Sequence, residues 1–478
     1  MSGDGTERST TESAAKKPAR LRLAFYGDDF TGSTDALEVL AFAGLRCALF
    51  LRPPTRAQLD ELGGFDAIGI AGDSRAMSPA EMDDALPAVF RAMSQLGAPL
   101  LHYKVCSTFD SSPTIGSIGH VMEIARRTIG AAPIPLIAGT PALQRYCLFG
   151  NLFARSGTDG QIYRIDRHPI MRAHPVTPMD EGDLIRHFGR QTALPITGFN
   201  LTHFDGDRPA LDRAFDQTLS AQPAAILFDT ANSGHLTEIG RLLDMRARHT
   251  GATFTVGSSG VEYALTQWWA EHGELPAQAR SYDTCTPAAP ILAMSGSASP
   301  VSAAQIDAAI AAGFTDIAVD ARALVDETGW QHALQHIVER ASEALRAGRS
   351  VMMHTARGPN DPRVAAMIDS LVARGLSRDE AKHQGGRLLG QRLGSIAEAV
   401  LKAVPLRRLI LSGGDTSSQV TQVLGPDALE IQARLAPGAP LCRVMSNKPH
   451  LQELEVALKG GQMGGVDYFV VARAGRGG

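Results

Sequence analysis

The stretch Phe25-Tyr-Gly-Asp-Asp-Phe-Thr-Gly-Ser-Thr-Asp35 ("FYGDDFTGSTD") decides the fold of the first half of this chain. It follows the apolar run "LRLAF" and leads into the periodic apolar segment "ALEVLAFAGL", which predicts a strand, a glycine-bearing turn and a helix. Many proteins bind phosphate at such a turn, because the free amides of the helix N-terminus attract anions. Here Asp28 and Asp29 occupy the turn and would repel a phosphate. The turn therefore predicts a ligand rich in hydroxyl groups, which carboxylates bind by accepting hydrogen bonds.

Strand and helix patterns alternate through most of the remaining sequence. In the first half, five short apolar runs predict buried strands: "AIGIAG" (67–72), "LLHYKV" (100–105), "IPLIAG" (134–139), "AAILFD" (224–229) and "TFTVGSSG" (253–260). After residue 290 the runs "ILAMSGSASP", "DIAVDA", "SVMMHTARG" and "RLILSGGDTSS" repeat the pattern. Such alternation predicts an α/β fold, with mostly parallel sheets that are flanked by helices on both faces.

The chain length predicts two domains. A single core rarely extends beyond about 250–300 residues, and this chain has 478. Residues 1–20 are polar and predict a disordered tail, and the Pro-bearing, aperiodic segment 271–290 predicts a linker. We therefore expect an N-terminal domain over 21–270 and a C-terminal domain over 291–478. Because ligands bind at the carboxyl ends of parallel strands, we expect the active site in the cleft between the domains.

Composition excludes several classes of partner. The formal net charge of −4 gives no basic surface for nucleic acid, and no apolar run reaches the roughly 18 residues that span a bilayer. The polar start lacks the apolar core of a secretory signal, and the five cysteines include no C-x-x-C pair. These features predict a cytoplasmic protein whose partners are small molecules. The oligomeric state stays open, with a homo-oligomer among the possibilities.

Four polar positions in the first half predict the binding of an acidic substrate. Arg75, in "GDSRAMS", carries a planar group that suits bidentate recognition of a carboxylate. Lys104 ends a predicted strand in "HYKVCSTFDSS", where it is able to neutralise a carboxylate or a phosphoryl group. Ser107 and Thr108 follow it and add hydroxyl groups. The alternatives are a surface salt bridge for Arg75 and a surface lysine at a frayed strand end for Lys104.

The paired aspartates complete this predicted substrate site. Asp28 and Asp29 are candidates for binding sugar hydroxyls and for accepting a proton from one of them. Asp35 lies further along the predicted helix, and we expect it to stabilise the helix start.

Two glycine clusters predict a nucleotide site in the second half. In "GGDTSSQV", Gly413 and Gly414 allow a close approach of the backbone, while Asp415 and Thr416 begin a predicted helix. An ordinary turn with an Asp or Thr cap would look similar. The second cluster, "LKGGQMGGVDYF" (458–469), lies between a helix pattern and a predicted aromatic strand. It predicts either a surface for adenine or phosphate or a helix stop followed by a tight turn.

The set of motifs resembles the four-carbon acid-sugar kinase family. "DDFTG", "SRAM", "KVCSTFDSS", "HPVTPMDEGDL", "GSSG", "SGSASPVSAAQI" and "SGGDTSS" occur in the order typical of that family, over about residues 22–470. The resemblance implies phosphorylation of a small sugar acid with ATP, bound acid sugar in the N-terminal domain, and most of the nucleotide in the C-terminal domain. It implies nucleotide contacts at Ser259, Gly413 through Thr416, and Gly461. With the bound ATP we expect Mg²⁺, held partly by Asp415.

One position departs from the pattern of the family. Many members have Asn where this chain has Ser117, in "SSPTIGSIG". The departure concerns the substrate more than the reaction, so 3-oxo-isoapionate, a branched relative, joins tetronate and 3-oxo-tetronate as a candidate.

Two other functions compete with a kinase. A NAD-dependent dehydrogenase of a sugar acid expects G-x-G-x-x-G at the first turn, and the sequence "GDDFTG" lacks the middle glycine. A non-catalytic sugar-acid sensor would use the same cleft without chemistry.

Overall fold

A computed structural model of the chain describes residues 21–157, 159–174, 176–276 and 281–475. The predicted disordered tail, 1–20, lies outside the described residues, as does the part of the predicted linker over 277–280. The described remainder of that linker, after α8, contains neither helix nor extended strand. No helix of the described residues combines the length and apolar character that crossing a membrane requires.

The first half alternates strands and helices as its apolar pattern predicts. Its strands are β1 (Leu23–Gly27), β2 (Cys47–Phe50), β3 (Ala67–Ala71), β4 (Leu100–Lys104), β5 (Ile134–Ile137), β6 (Arg145–Leu148), β7 (Asn151–Arg155), β8 (Ile162–Arg164), β9 (Ile196–Phe199), β10 (Ala225–Phe228) and β11 (Thr253–Gly257). Its helices are α1 (Phe30–Phe42), α2 (Arg56–Glu61), α3 (Pro79–Gln95), α4 (Ile118–Ile129), α5 (Leu184–Gly189), α6 (Arg208–Ser220), α7 (Ser233–Thr250) and α8 (Gly260–Glu271).

The second half repeats the alternation and adds an antiparallel hairpin. Its strands are β12 (Leu292–Ser295), β13 (Thr315–Ala318), β14 (Val351–His354), β15 (Arg408–Ser412), β16 (Ala428–Ala436), β17 (Ala439–Met445) and β18 (Glu455–Lys459). Its helices are α9 (Pro300–Ala311), α10 (Ala321–Val325), α11 (Trp330–Arg346), α12 (Pro362–Val372), α13 (Arg378–Ala403), α14 (Gly414–Leu424) and α15 (Tyr468–Ala474).

The two halves share one continuous sheet, which among the described residues has fifteen strands in the order β13-β14-β12-β15-β18-β17-β16-β2-β3-β1-β4-β11-β5-β10-β9. Strands β6, β7 and β8 form a separate small antiparallel sheet. The first half is parallel within itself, and the second half is parallel apart from its β16–β17 hairpin, in which β17 pairs antiparallel with both β16 and β18. The hairpin joins the halves because β16 also pairs antiparallel with β2. The fold is therefore α/β with two mostly parallel halves, as the sequence predicts, but the halves are fused edge to edge.

The antiparallel junction reverses the strand direction between the halves, and the twist that is usual in such sheets opposes that reversal. Strands in a sheet rotate by about 20–25° from one to the next, so the six steps from β15 to β1 amount to about 120–150°. Two bulges in β16, at Ile431/Ala433 and Arg434/Ala436, add to this twist. The starts of α1 and α14, which follow β1 and β15, lie close together, since a methyl group on Gly414 would lie 3.6 Å from Thr31 Oγ1.

The core is also continuous across the junction. One cluster of buried apolar side chains runs from Leu37 and Leu40 of α1, through Leu429 of β16, to Leu411 of β15. Such burial contributes about 25 cal/mol for each Å² of apolar surface removed from water. The cluster thus packs the two halves against each other along the side that carries α1 and α14.

Candidate active site

Strand pairing brings three strand ends to one place in the first half. Gly27, at the end of β1, and Gly257, at the end of β11, lie opposite Lys104, the last residue of β4. The Asp28 amide donates to the Lys104 carbonyl at 2.8 Å. Side chains that follow these strands therefore gather around Lys104.

Asp28 and Asp29 are both bonded to Arg75, which follows β3. Arg75 donates Nε to Asp28 Oδ2 at 3.0 Å and Nη2 to Asp28 Oδ1 at 2.8 Å, and the same Nη2 donates to Asp29 Oδ1 at 2.8 Å. Asp29 is also the N-cap of α1, since it accepts from the Gly32 amide at 3.1 Å and from the Thr31 hydroxyl at 3.2 Å. The three predicted residues lie together, but the guanidinium of Arg75 is bound by carboxylates of the chain itself.

The two aspartates differ in the direction of their pKa shifts and in their exposure. Burial raises the pKa of Asp28, and the charge of Arg75 only partly opposes the rise. Burial acts on Asp29 in the same direction, but the charges of Arg75 and Lys104 outweigh it and lower the pKa of Asp29. The Asp29 side chain is 25% exposed, against 7% for Asp28. Asp29 is thus the more readily ionised and the more accessible carboxylate.

Lys104 is a buried cation among acidic groups, not a lysine at the surface. It is 3% exposed, and its charge lowers the pKa of both Asp29 and Asp35. A methyl group on Gly32 would lie 2.5 Å from Lys104 Nζ, so the ammonium reaches the first turn of α1 only because that residue is glycine. The ammonium group of Lys104 therefore lies among carboxylates at the edge where the substrate hydroxyls are expected.

Asp35 does not cap α1, so the prediction that it stabilises the helix start is wrong. The N-cap is Asp29, and the Asp35 carboxylate faces Lys104 and the Ser259 hydroxyl. Burial raises the pKa of Asp35, with Lys104 and Ser259 opposing that rise. Ser259 immediately precedes α8 in the first half, and the described contacts place it with Asp35.

The loop after Lys104 binds its own polar groups. The buried Thr108 hydroxyl donates to Asp110 Oδ1 at 2.5 Å and lies 2.9 Å from Cys106 Sγ. Phe109 has φ of 53°, a left-handed conformation that a bulky residue adopts only when its surroundings impose it. Ser107 is only partly buried, so it presents the more accessible hydroxyl of this loop.

The position that departs from the family pattern is a helix cap. Ser117 precedes α4, accepts from the His120 amide at 3.2 Å and donates to Gln191 Oε1 at 3.5 Å. It is 1% exposed. Its side chain therefore helps to fix the start of α4.

Three glycine-bearing turns pack closely in the second half. Gly413 has φ of 112°, and a methyl group there would lie 3.2 Å from Thr416 Oγ1. A methyl group on Gly296 would lie 2.1 Å from the same oxygen, and one on Gly461 would lie 2.3 Å from Ser297 Oγ. The predicted residues Gly413, Thr416 and Gly461 therefore belong to one site, where the backbones approach within van der Waals distance.

The second glycine cluster follows a strand and precedes a helix, so the predicted order of helix before and strand after is wrong. Strand β18 ends just before it, and α15 begins after it. Gln305 Nε2 donates to the carbonyls of Met463, Gly464 and Gly465 at 3.0, 3.2 and 2.8 Å. These glycines form an anchored turn, and Gly461 is the part of the cluster that reaches the other turns.

Asp415 is an exposed carboxylate in the first turn of α14. Within the described residues no group of three or more His, Cys, Asp or Glu side chains is arranged to hold a metal ion. Mg²⁺ in phosphoryl-transfer sites commonly uses only one or two carboxylates, with water and substrate phosphates as the other ligands. A single exposed Asp415 fits that mode of binding.

The site contains further residues that the sequence did not single out. Thr31, Ser297 and Lys459 all lie beside predicted positions, and Asp35 has a different role from the predicted one. The sequence carries a weak signal for these residues, because each is a polar residue within two or three positions of a strand-end glycine or aspartate.

The two predicted sites face each other across the junction. A methyl group on Gly414, at the start of α14, would lie 3.6 Å from Thr31 Oγ1, at the start of α1. Nearby, the Gly438 amide donates to Glu38 Oε2 at 3.3 Å, which links residues 400 positions apart. The arrangement juxtaposes a carboxylate-rich turn and a glycine-rich turn, so groups bound at the two turns would meet.

Two family models match the chain along almost its whole length. A model described as a sugar-binding N-terminal domain matches residues 23–265, and one described as a nucleotide-binding C-terminal domain matches residues 292–469.

Characterised relatives align with nearly the entire chain. It is 43% identical over 460 residues to the 3-oxo-isoapionate kinase of Paraburkholderia graminis, covering 96% of this chain and 95% of that protein. It is 28% identical over 452 residues to the 3-oxo-tetronate kinase of Methylobacterium radiotolerans, covering 94% and 98% of the two chains.

Two crystal structures share the fold. A protein of Salmonella typhimurium LT2 superposes with a TM-score of 0.73 at 22% identity, covering 95% of this chain and 99% of that one. A Haemophilus influenzae protein superposes with a TM-score of 0.70 at 21% identity, covering 94% and 98%.

Proposed function

The chain belongs to the four-carbon acid-sugar kinase family and is a sugar-acid kinase, and from that premise we propose that it transfers the γ-phosphoryl group of ATP to a hydroxyl group of 3-oxo-isoapionate. The choice of acid is supported by the 43% identity to a kinase of that name, against 28% for a kinase of 3-oxo-tetronate. The observation that carries the choice of reaction is the approach of Thr31 and Gly414, which supports a meeting of the proposed hydroxyl-binding turn and the proposed phosphate-binding turn.

Asp29 is the proposed proton acceptor. Asp28 and Asp29 were equal candidates in the sequence, but both Asp28 oxygens accept from Arg75, while Asp29 Oδ2 accepts from the Thr31 hydroxyl alone among the described residues. Asp29 is also the more exposed of the two and has the lowered pKa, so it is ionised and reachable at neutral pH. In this proposal Asp28 holds Arg75 in place, and Arg75 in turn orients Asp29.

Lys104 is proposed to neutralise charge near the transferring group. Phosphoryl transfer depends more on in-line placement and on electrostatic stabilisation than on covalent chemistry of the protein. A buried ammonium at the end of β4 supplies fixed positive charge in a site of low dielectric, where it acts strongly. Arg75, Ser107 and Thr108 are proposed to complete the surface that binds the acid.

The second half is proposed to hold the nucleotide. Gly413, Gly414, Thr416 and Gly461 would place backbone amides and a hydroxyl against the phosphates, with α14 directing its N-terminus to them. Ser259 is proposed to reach the nucleotide from the opposite side of the cleft. Mg²⁺, when bound, would neutralise phosphate charge, and Asp415 would contribute its protein ligand.

A panel assay tests this function. Purified protein with ATP and Mg²⁺ is offered 3-oxo-isoapionate, 3-oxo-tetronate and tetronates, and ADP release and phosphorylated product are measured. We expect the highest kcat/KM with 3-oxo-isoapionate. A preference of tenfold or more for an unbranched acid would overturn the choice of acid, and the absence of ADP release with every acid would overturn the reaction.

A further inference from the structure

Beneath the nucleotide turns lies a second buried lysine, one that the proposed mechanism leaves unexplained. Lys459 is the last residue of β18 and is 0% exposed. Its Nζ donates to Ser412 Oγ at 2.9 Å and to the Gly460 carbonyl at 3.0 Å, and it lies 5.6 Å from the centre of the Tyr468 ring. Both acceptors are neutral groups.

Each of these hydrogen bonds holds the residue just before a proposed nucleotide turn. Ser412 precedes Gly413, and Gly460 precedes Gly461. The carbonyl of Lys459 also accepts from the Gly413 amide at 2.9 Å. Lys459 therefore ties the two turns together, and its ammonium lies directly behind them.

A buried ammonium ordinarily has a carboxylate partner, because removing an unpaired charge from water is costly. Burial is the one contribution to the pKa of Lys459 and lowers it to about 8. Tyr468 of α15 is a titratable group beside Lys459, and it interacts electrostatically with Glu38 of α1 and Cys442 of β17. Asp415, the carboxylate in the first turn of α14, is exposed. None of them pairs with Lys459, so the positive charge has no partner in the described part of the chain.

We propose that the missing partner is the nucleotide: Lys459 is a buried counter-charge for the phosphates bound at the Gly413 and Gly461 turns. The inference rests on the proposed nucleotide site and adds a residue to it. Lys459 acts through the turns as a positioning residue and electrostatically on the phosphates. Because phosphate charge would stabilise the ammonium, nucleotide binding must raise the affinity of Lys459 for its proton, and the protein must take up a proton when it binds.

Calorimetry of the unmodified enzyme with ADP and excess Mg²⁺ tests this directly. Titrations at about pH 8.5, in buffers of different ionisation enthalpy, measure proton uptake, and ADP is itself fully ionised there. We expect the uptake of a substantial fraction of one proton, together with an affinity that falls as pH rises above about 8. An affinity that is independent of pH up to about 9.5, with no proton uptake, would overturn the inference.

Lys459→Met adds a second arm. Without the charge of Lys459, we expect the affinity for ADP to be about 10- to 100-fold weaker and proton uptake to be lost. A loss of that size corresponds to the attraction between two unit charges roughly 6–12 Å apart at an effective dielectric constant of about 20. Lys382→Met, on the exposed face of α13, is the matched control and should change neither. A folded Lys459→Met protein with normal affinity and proton uptake would contradict the inference. Failure of the unmodified enzyme to bind ADP at all would instead overturn the proposed function.

Discussion

The β1–α1 and β15–α14 turns have the same topology and opposite electrostatics. Each follows the carboxyl end of a parallel strand, and each has a buried lysine close by. The carboxylates of Asp28, Asp29 and Asp35 surround Lys104, whereas in the described part of the chain Lys459 donates only to neutral acceptors.

The difference shows how one local architecture serves two kinds of ligand. Where the chain supplies its own anions, the lysine is compensated and the carboxylates remain available for neutral hydroxyl groups. Where glycines replace the acids, the backbone amides and the lysine together favour an anion. The two turns lie close together, so under the proposed function their contrast would separate the acceptor end of the reaction from the donor end.

The largest expected effect comes from removing the charge of Asp29. Asp29→Asn should lower kcat by about 10²–10⁴, because the general base is lost. Asparagine caps helices about as well as aspartate does, so stability should change little. Steady-state kinetics and thermal melting check both expectations.

Asp207→Asn, at the N-cap of α6, is the matched control and should keep full activity. Normal turnover in Asp29→Asn, or a larger loss in Asp28→Asn, would reverse the roles assigned to the two aspartates.

Lys104→Met should lower kcat/KM by about 10²–10³, the usual cost of losing one charged group that stabilises a transition state. The charge of Lys104 lowers the pKa of Asp29 and Asp35, so its loss should raise the pKa of both groups. The acidic limb of the pH–rate profile should therefore move to higher pH. A profile of unchanged shape would indicate that Lys104 acts only by packing.

Gly414→Val should impair the donor side alone. The new side chain would project toward Thr31 and fill the gap in which the phosphates are expected, so we predict nucleotide affinity about tenfold weaker or worse. Binding of the sugar acid, measured by calorimetry, should persist.

The exposed Gly386 of α13 has open space around it, which makes Gly386→Val the matched control. Equal losses of affinity in the two variants would indicate a general defect of the second half.

The smallest expected effect is on stability, at the junction between the halves. Burial, followed by the charge of Asp35, raises the pKa of Glu38 to about 8, while the Gly438 amide and Arg434 oppose the rise. The folded chain therefore keeps a proton that the unfolded chain loses above its ordinary pKa of 4.5. The contribution of the Glu38 carboxyl group to the free energy of unfolding is fully present below about pH 4.5 and is lost as the pH rises through about 8.

Glutamine cannot titrate, so between pH 6 and 9 the melting temperature of Glu38→Gln should fall less than that of the unmodified chain. The difference should be about 2–4 °C for each kcal/mol of unfolding free energy that the unmodified chain loses over this range. Glu339→Gln on α11 is an exposed control. Parallel pH profiles for Glu38→Gln and the unmodified chain would contradict the role given to Glu38.

Much of the fold and part of the site were predictable from the sequence. The apolar runs at 67–72, 100–105 and 134–139 became β3, β4 and β5, because short buried strands are encoded by adjacent residues. The turns at Gly413 and Asp28 were recognisable for the same reason. The bonding of Arg75 to Asp28 was not, since it depends on β3 lying next to β1.

By itself, the sequence determined the α/β alternation, the glycine turns and the kinds of side chain at the strand ends. These are local properties, set by residues within a turn or two of each other. The tertiary structure alone decided that carboxylates surround Lys104, that no described carboxylate pairs with Lys459, and that Thr31 lies close to Gly414. Each of these outcomes depends on strand order and accumulated twist, which place residues hundreds of positions apart in contact and which no short window of sequence encodes.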